Sequence, residues 1–248
     1  MEEKIMDGGV QDGTVVPGIG AVARKVPVLS GKGGVGKSTV AVNLAVTLAM
    51  NGRSVGLLDV DLHGPSIPMM LGLGSEGLET RGENLVPLER GGIKVMSAGF
   101  LLKGSDDALI WRGPMKMSLI THFVQKVEWG VLDFLVADCP PGTGDEPLSL
   151  VQLLDKPDGA IIVTTPQKVA ATDVRKSVDF CLKTGVPVLG VVENMSGFAC
   201  PHCGRVTEVF RGGGGEETAR AYSVPFLGRI PLDPAVAESG DRGAPFVH

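Results

Sequence analysis

An α/β fold with a doubly wound, mostly parallel sheet flanked by helices is what this sequence predicts, on three observations. Short runs rich in Val, Ile and Leu alternate along the chain with longer stretches of helical periodicity. The runs are apolar at nearly every position, as strands covered on both faces must be. A Gly-rich segment ending in Lys-Ser-Thr lies between the first run and the first helical stretch, at the strand end where such sheets bind their ligands.

Residues 1–24 open acidic, hold five glycines and lack sustained periodicity, so they read as a flexible leader before a single domain at 25–248. The first strand, "VPVLS" (26–30), leads to a helix over 37–51. "SVGLLDVD" (54–61) and "IKVMSAG" (93–99) are the next strands. A helix at 114–128 precedes "FLVADCP" (134–140), one at 145–154 precedes "GAIIVTTP" (159–166), and one at 168–184 precedes "PVLGVVENM" (187–195). A last helix at 215–222 comes before "PFLGRIPLD" (225–233). Repeated strand–helix–strand units of this kind make one parallel sheet with right-handed crossovers.

At 248 residues and 43% hydrophobic content, the chain can bury a large aliphatic core without covalent staples. Net charge is −5 and no basic block occurs, so the broad attraction that drives nucleic-acid binding is missing. No apolar run approaches the roughly 18 to 20 residues that span a bilayer, and neither a signal peptide nor an amphipathic Lys-rich tail is evident, so no membrane partner is expected. The expected location is the cytoplasm. There the four cysteines are not a disulfide framework, and Cys200 and Cys203 read as ligands or catalytic thiols.

"GKGGVGKST" (31–39) matches G-x-x-x-x-G-K-[ST] in the strand-to-helix context that gives the motif its meaning. Gly31, Gly33, Gly34 and Gly36 let backbone N–H groups turn inward around phosphate oxygens. The following helix N-terminus adds partial positive charge. Lys37 then reaches the β- and γ-phosphates of ATP, and the Ser38 hydroxyl can ligate Mg²⁺. Val35 and Thr39 complete the stretch of candidate nucleotide contacts.

Two carboxylates, Asp59 and Asp61, end the run "LLDVD". They would repel one another unless a cation or an activated water occupied the space between them and the phosphates. "FLVADCPPGTGDE" repeats the pattern: Asp138 ends an apolar run in the Walker B manner, a second candidate for holding Mg²⁺. Gly142 in the following loop can offer its N–H to the γ-phosphate and release it after hydrolysis. Cys139 reads as a buried small residue and Cys181 as part of a helical core. The Asn194 amide, at the end of "LGVVENM", can hydrogen-bond an adenine edge, and Pro231 and Asp233 of "IPLD" are further candidates for the base.

Cys200 and Cys203 lie in "FACPHCG" (198–204), just beyond Asn194. A thioredoxin-like dithiol would need a helix starting at the first cysteine, whereas Gly204 and the strand-like "RVTEVF" follow. A zinc knuckle needs a second ligand pair, and no further Cys-x-x-Cys or His pair recurs. Two copies of the chain about a two-fold axis would supply four thiolates, which suits a [4Fe–4S] cluster or a zinc ion.

The early lysine of the loop, Lys32, makes it resemble the deviant Walker A of the superclass that includes MinD and ParA. The full order "GKGGVGKST", "DVDLHGPSIP", "DCPPGTGDE", "ENMSGFACPHCG" and "GGGGEETA" is similar to the Mrp/Nbp35/ApbC iron–sulfur cluster carriers over residues 26 to about 246. The resemblance implies a homodimeric P-loop ATPase in which Lys32 reaches the nucleotide of the partner copy. It further implies that Asp61 positions the attacking water, that Asn194 contacts the base, and that Cys200 and Cys203 of both copies hold a cluster delivered to apo iron–sulfur proteins. The family usually has Thr where this chain has Cys139, and its members commonly continue through another helix beyond "GAPFVH". The leader lacks cysteines, so any cluster should be confined to the bridging site. Two other readings stay open: a MinD/ParA-like positioning ATPase, and an ATP-binding regulator with a structural zinc.

Overall fold

The computed structural model describes residues 10–247 except 12, 13, 16, 17, 63, 75, 102–112 and 210–212. Most of the expected leader therefore lies outside the described residues. What is described of it includes β1 (Val10–Gln11) and β2 (Thr14–Val15), a short antiparallel pair.

β3 (Val22–Leu29) starts four residues ahead of the expected strand, because its first turns pair with β9 (Leu132–Asp138) from Val22↔Leu132 to Val28↔Asp138. α1 (Lys37–Met50), β4 (Val55–Asp59) and α2 (Ile67–Met70) follow. Next come β5 (Glu79–Arg81), β6 (Asn84–Val86), β7 (Leu88–Arg90) and β8 (Ile93–Ser97). α3 (Gly113–Gln125), β9 and α4 (Asp145–Leu153) lead to β10 (Ala160–Thr164), α5 (Lys168–Thr184) and β11 (Val188–Ala199). β12 (Val206–Thr207), α6 (Gly214–Ala221), β13 (Phe226–Leu232) and α7 (Pro234–Asp241) complete the order.

Among the described residues the central sheet runs β12-β11-β10-β3-β9-β4-β8-β7, with β13 also paired to β11. Its pairings are parallel except β7/β8 and β11/β12. All seven expected strands are there, and the central ones alternate between two covered faces, but β13 at the edge is half-exposed or exposed at every position instead of covered on both faces. Leu58 and Leu135 join a core layer that takes in Phe123 of α3 and Val178 of α5. Their neighbours Leu57 and Val136 join the opposite layer with Ala41 and Val42 of α1. Cys181 lies in the first of these layers, fully buried, as the helical pattern suggested.

The elements that the sequence reading missed are short or polar. β5 is exposed at every position, so no alternation marks it. α7 did carry a signal: Asp233 is its N-cap, with Oδ1 accepting from Ala235 N at 2.9 Å, and Pro234 takes the first helical position.

Gly56, inside β4, allows a close approach. A Cβ there would lie 2.7 Å from Leu132 Cδ1 and 2.9 Å from Trp129 Cζ3, and the Trp129 ring is fully buried. Gly56→Ala should therefore cost roughly 1–3 kcal/mol by overpacking, read as a lower urea midpoint with unchanged slope.

Candidate functional site

Parallel register sets the site. Asp59 at the end of β4 pairs with Asp138 at the end of β9 and with Ser97 at the end of β8, and Asp138 pairs in turn with Val28 of β3. Three strands thus end in one row, and the loop 30–36 leaves the sheet beside that row.

The glycines of the loop have separate reasons. Gly34 and Gly36 take φ values of 77° and 79°, in the left-handed region. A Cβ on Gly31 would lie 2.4 Å from the Asp173 carbonyl oxygen, and one on Gly36 would lie 2.2 Å from Asn194 Nδ2. The loop lines a cavity of about 230 Å³ that brings together Lys32, Gly33, Gly34, Gly36, Lys37, Ser38, Thr39, Asp61 and Pro141. Gly142 is not among the residues lining it; its N–H donates to the Ser30 carbonyl at 2.8 Å.

Lys37 opens α1 and is buried with its Nζ 2.5 Å from Asp138 Oδ1, while Ser38 Oγ donates to Asp138 Oδ2 at 2.5 Å. Burial works against the Lys37 charge, but the adjacent Asp138 outweighs it and holds the ammonium above its ordinary value. Burial pushes the Asp138 carboxyl up, against the pull of Lys37 and Ser38. Asp59 has no exposed surface and accepts from Ser97 Oγ at 2.7 Å and from Asp61 N at 3.1 Å. Burial first, and the Asp138 charge second, push it up to about 7.

Asp59, Asp61 and Asp138 therefore bring more negative charge into the site than Lys37 neutralises. The Ser38 hydroxyl and an Asp138 carboxylate oxygen are donors of the kind a hard divalent cation takes, and these two residues are the ones that would hold Mg²⁺.

Lys32 stands at the cavity rim, its Nζ 3.9 Å from Asp173 Oδ2 of α5. On the far side of Thr39, cavities of about 350 and 320 Å³ share Asn194, Pro231 and Asp233. Asn194 Nδ2 donates to the Val35 carbonyl at 2.9 Å, tying the end of β11 to the phosphate loop. The Asp233 carboxylate is occupied in capping α7.

Cys200 and Cys203 sit on a hairpin beyond β11, closed by the pairs Phe198↔Thr207 and Ala199↔Val206. Cys200 N donates to Arg205 O, and Gly204 N returns to Cys200 O at 2.8 Å, with Gly204 at φ 69°. Cys200 is half-buried and Cys203 exposed. The N–H of His202, then that of Cys203, point at the Cys200 sulfur and draw its thiol below the ordinary value, which favours the thiolate that binds metals. Among the described residues no group of three or more His, Cys, Asp or Glu could hold a metal ion. Cys139 stays apart from this pair, fully buried, its thiol pushed up by burial.

Comparison with known proteins decides the family. The model of the family described as "ParA: NUBPL iron-transfer P-loop NTPase" matches residues 21–248. The chain belongs to this family. It is 52% identical over 234 residues to the cytosolic Fe-S cluster assembly factor NUBP2 of Gallus gallus, covering 92% of this chain and 86% of that protein. Identity to the iron-sulfur cluster carrier protein of Methanocaldococcus jannaschii is 47% over 238 residues, with 96% and 82% covered. Among solved structures, a nucleotide-binding protein from Archaeoglobus fulgidus in complex with ADP superposes with a TM-score of 0.81 at 43% identity, covering 92% and 89% of the two chains. The septum site-determining protein MinD of Pyrococcus horikoshii, complexed with Mg-ADP, gives 0.65 at 26% identity, with 90% and 87% covered. The fold is thus the mostly parallel, helix-flanked sheet of the MinD-like P-loop NTPases.

Beyond the motifs, Ser97 and Asp173 stand at the site, while Glu193, next to Asn194, ties β11 to α6 outside it; sequence reasoning selected none of the three. Glu193 alone carried a signal, an acidic residue inside the apolar run "LGVVENM".

Asp59 supplies a pH test. Its folded pKa, about 7, lies above the ordinary aspartate value, so the native chain binds more protons between about pH 4 and 7, and stability falls as pH rises through that window. Asp59→Asn should lessen that fall. It should be more stable than the parent at pH 8 by on the order of 1 kcal/mol or more and lose the advantage near pH 4, as read from urea midpoints.

Proposed function

We propose that this family member is a cytoplasmic, homodimeric ATPase that holds a [4Fe–4S] cluster between the Cys200 and Cys203 pairs of two copies and passes it to apo-proteins. The observation that carries the reading is the placement of a solvent-accessible cysteine pair on the hairpin just beyond the strand whose Asn194 touches the phosphate loop. Names of the relatives supply the cargo class, and the donor count supplies the second copy: two thiolates from each chain complete a four-ligand site.

ATP enters with its phosphates over residues 31–38 and its base toward Asn194 and Pro231. Backbone N–H groups of the loop and the Lys37 ammonium bind the β- and γ-phosphate oxygens. Ser38 and Asp138 would hold Mg²⁺, which would supply further positive charge against the phosphates. Asp61 orients a water toward the γ-phosphorus. The new P–O bond forms as the bond to the β-phosphate oxygen breaks, giving ADP and inorganic phosphate. Lys32 of the partner copy adds charge that only an assembled dimer provides. Gly142 follows the γ-phosphate, so the loop after β9 distinguishes ATP from ADP.

Anaerobic reconstitution tests the cargo. The parent should take up about four iron and four sulfide per two chains, and the Cys200→Ala/Cys203→Ala double variant should take up almost none. Equal cluster in that variant sinks the reading, while zinc alone without ATP turnover would favour a structural-metal regulator.

The two lysines should separate. Lys37→Ala should weaken nucleotide binding and turnover together, whereas Lys32→Ala should keep nucleotide affinity within a few-fold and lower phosphate release by about 100-fold, the scale of losing one aligned charge at the transition state. Isothermal titration and a steady-state phosphate assay make the comparison.

A further inference from the structure

Strand β11 serves two sites, and its backbone changes character between them. From Val192 to Asn194 it lies in regular parallel pairing, Thr164↔Glu193 on one side, and Glu193↔Arg229 and Asn194↔Ile230 on the other. Between Asn194 and Phe198 the ladder to β13 is irregular. Met195 takes φ 58° and Gly197 φ 82° there, the first being a left-handed conformation uncommon for a residue with a Cβ. Beyond this bend the strand turns to antiparallel pairing and carries the two thiols.

One carboxylate ties the hairpin to helix α6. Glu193 has no exposed surface. Its Oε1 accepts from Ser196 Oγ at 2.6 Å, on the outgoing limb. Its Oε2 accepts from Gly215 N at 2.9 Å, in the first turn of α6. A Cβ on Gly215 would lie 3.1 Å from that oxygen, so the contact depends on glycine. Arg229 of β13 donates its Nε to Oε1 at 3.3 Å and pairs through Nη2 with Glu216 of α6 at 2.6 Å. Charge on the buried carboxylate is thus met by a guanidinium and by a helix N-terminus.

The adjacent residue is fixed to the nucleotide side. Asn194 donates to Val35 of the phosphate loop and its amide packs against Gly36. Consecutive Cα atoms are only about 3.8 Å apart, so a ligand that moves the Asn194 main chain acts directly beside Glu193. Arg229 lies two residues before Pro231, which lines the base-side cavities, and gives the same carboxylate a second input.

We infer that Glu193 is the positioning residue through which nucleotide occupancy at Asn194 moves the Cys200–Cys203 hairpin. It rests on the proposed function only for the ligand on the thiols; the motion itself needs no metal. Two sites are coupled only if each ligand favours a different arrangement of a shared element, and the Glu193 network is that element.

Hydrogen exchange on the full chain, without metal, with and without Mg²⁺ and ADP or a non-hydrolysable ATP analogue, makes the test. In the parent, nucleotide should change exchange in the segment 196–209 by at least about threefold. In Glu193→Gln the phosphate-loop segment should respond as before, with nucleotide affinity within about threefold, while the 196–209 response is lost. Ser196→Ala, a smaller change, should lose part of it and stands in if Glu193→Gln fails to fold. An indifferent hairpin in the parent, or an undiminished response in the variants, overturns the inference. So does a Glu193→Gln hairpin that exchanges without protection in both states, which would mark Glu193 as merely structural. Failure of cluster reconstitution alongside a responding hairpin would refute the proposed function and leave this inference standing.

Discussion

Asp138 ends a central strand with no surface exposed to water, and its charge is tolerable there only because Lys37 and Ser38 both donate to it. Much of the site follows from that contact. Parallel pairing with β4 sets Asp59 beside it in the same row, and desolvated like charges then drive Asp59 toward neutrality, helped by the hydroxyl of Ser97. Lys37 starts α1 where the glycines of the loop can bring it over the strand ends. A row of strand ends, a helix N-terminus and the Lys37 ammonium together suit an anionic ligand, and the Asp138 and Ser38 oxygens suit a cation carried with it. A nucleotide triphosphate with Mg²⁺ has that description.

Much of this was legible in the sequence, for a physical reason. Strands buried on both faces cannot alternate, so their apolar runs stand out, and a phosphate loop cannot replace its glycines without blocking backbone donors. The seven main strands and the loop residues therefore showed themselves. β5, β6 and β7 were invisible because short, exposed strands carry neither signal. Asp233 was read for its position after a strand, and the structure uses its carboxylate to cap α7. Ser97, Asp173 and Glu193 went unselected because their roles come from contacts across more than twenty residues of sequence, to Asp59, Gly31 and Gly215.

Cysteine placement follows the opposite logic. A phosphate site is built within one chain because many backbone donors must converge, whereas a labile metal cargo gains from an incomplete site. The Cys200 sulfur is already approached by two N–H groups, so the thiolate is prepared before any metal arrives. On the proposed reading one chain lacks only ligand number, which a two-fold copy would supply without any further residue. Lys32 extends the same economy to the nucleotide. In one chain it lies near Asp173 at 3.9 Å, a partly exposed pair of small energetic weight, so little holds it back from a partner's phosphates.

Linking such sites need not take a long path. Between Asn194 and Cys200 lie only Met195 to Ala199, and the backbone there bends through two left-handed residues before pairing with β13 resumes at Phe198↔Leu232. A regular strand would transmit displacement along its own length. A bent one transmits it only if the segment beyond the bend is fastened to the strand before it. Glu193 supplies a fastening, because Ser196 beyond the bend and Gly215 of α6 hang from one buried carboxylate. The network has low slack: each oxygen is committed, the helix end has no room for a side chain at Gly215, and Arg229 is itself tied to Glu216. Small movements of the strand end are then carried to the thiols as a tilt of the whole hairpin, not absorbed by its loop.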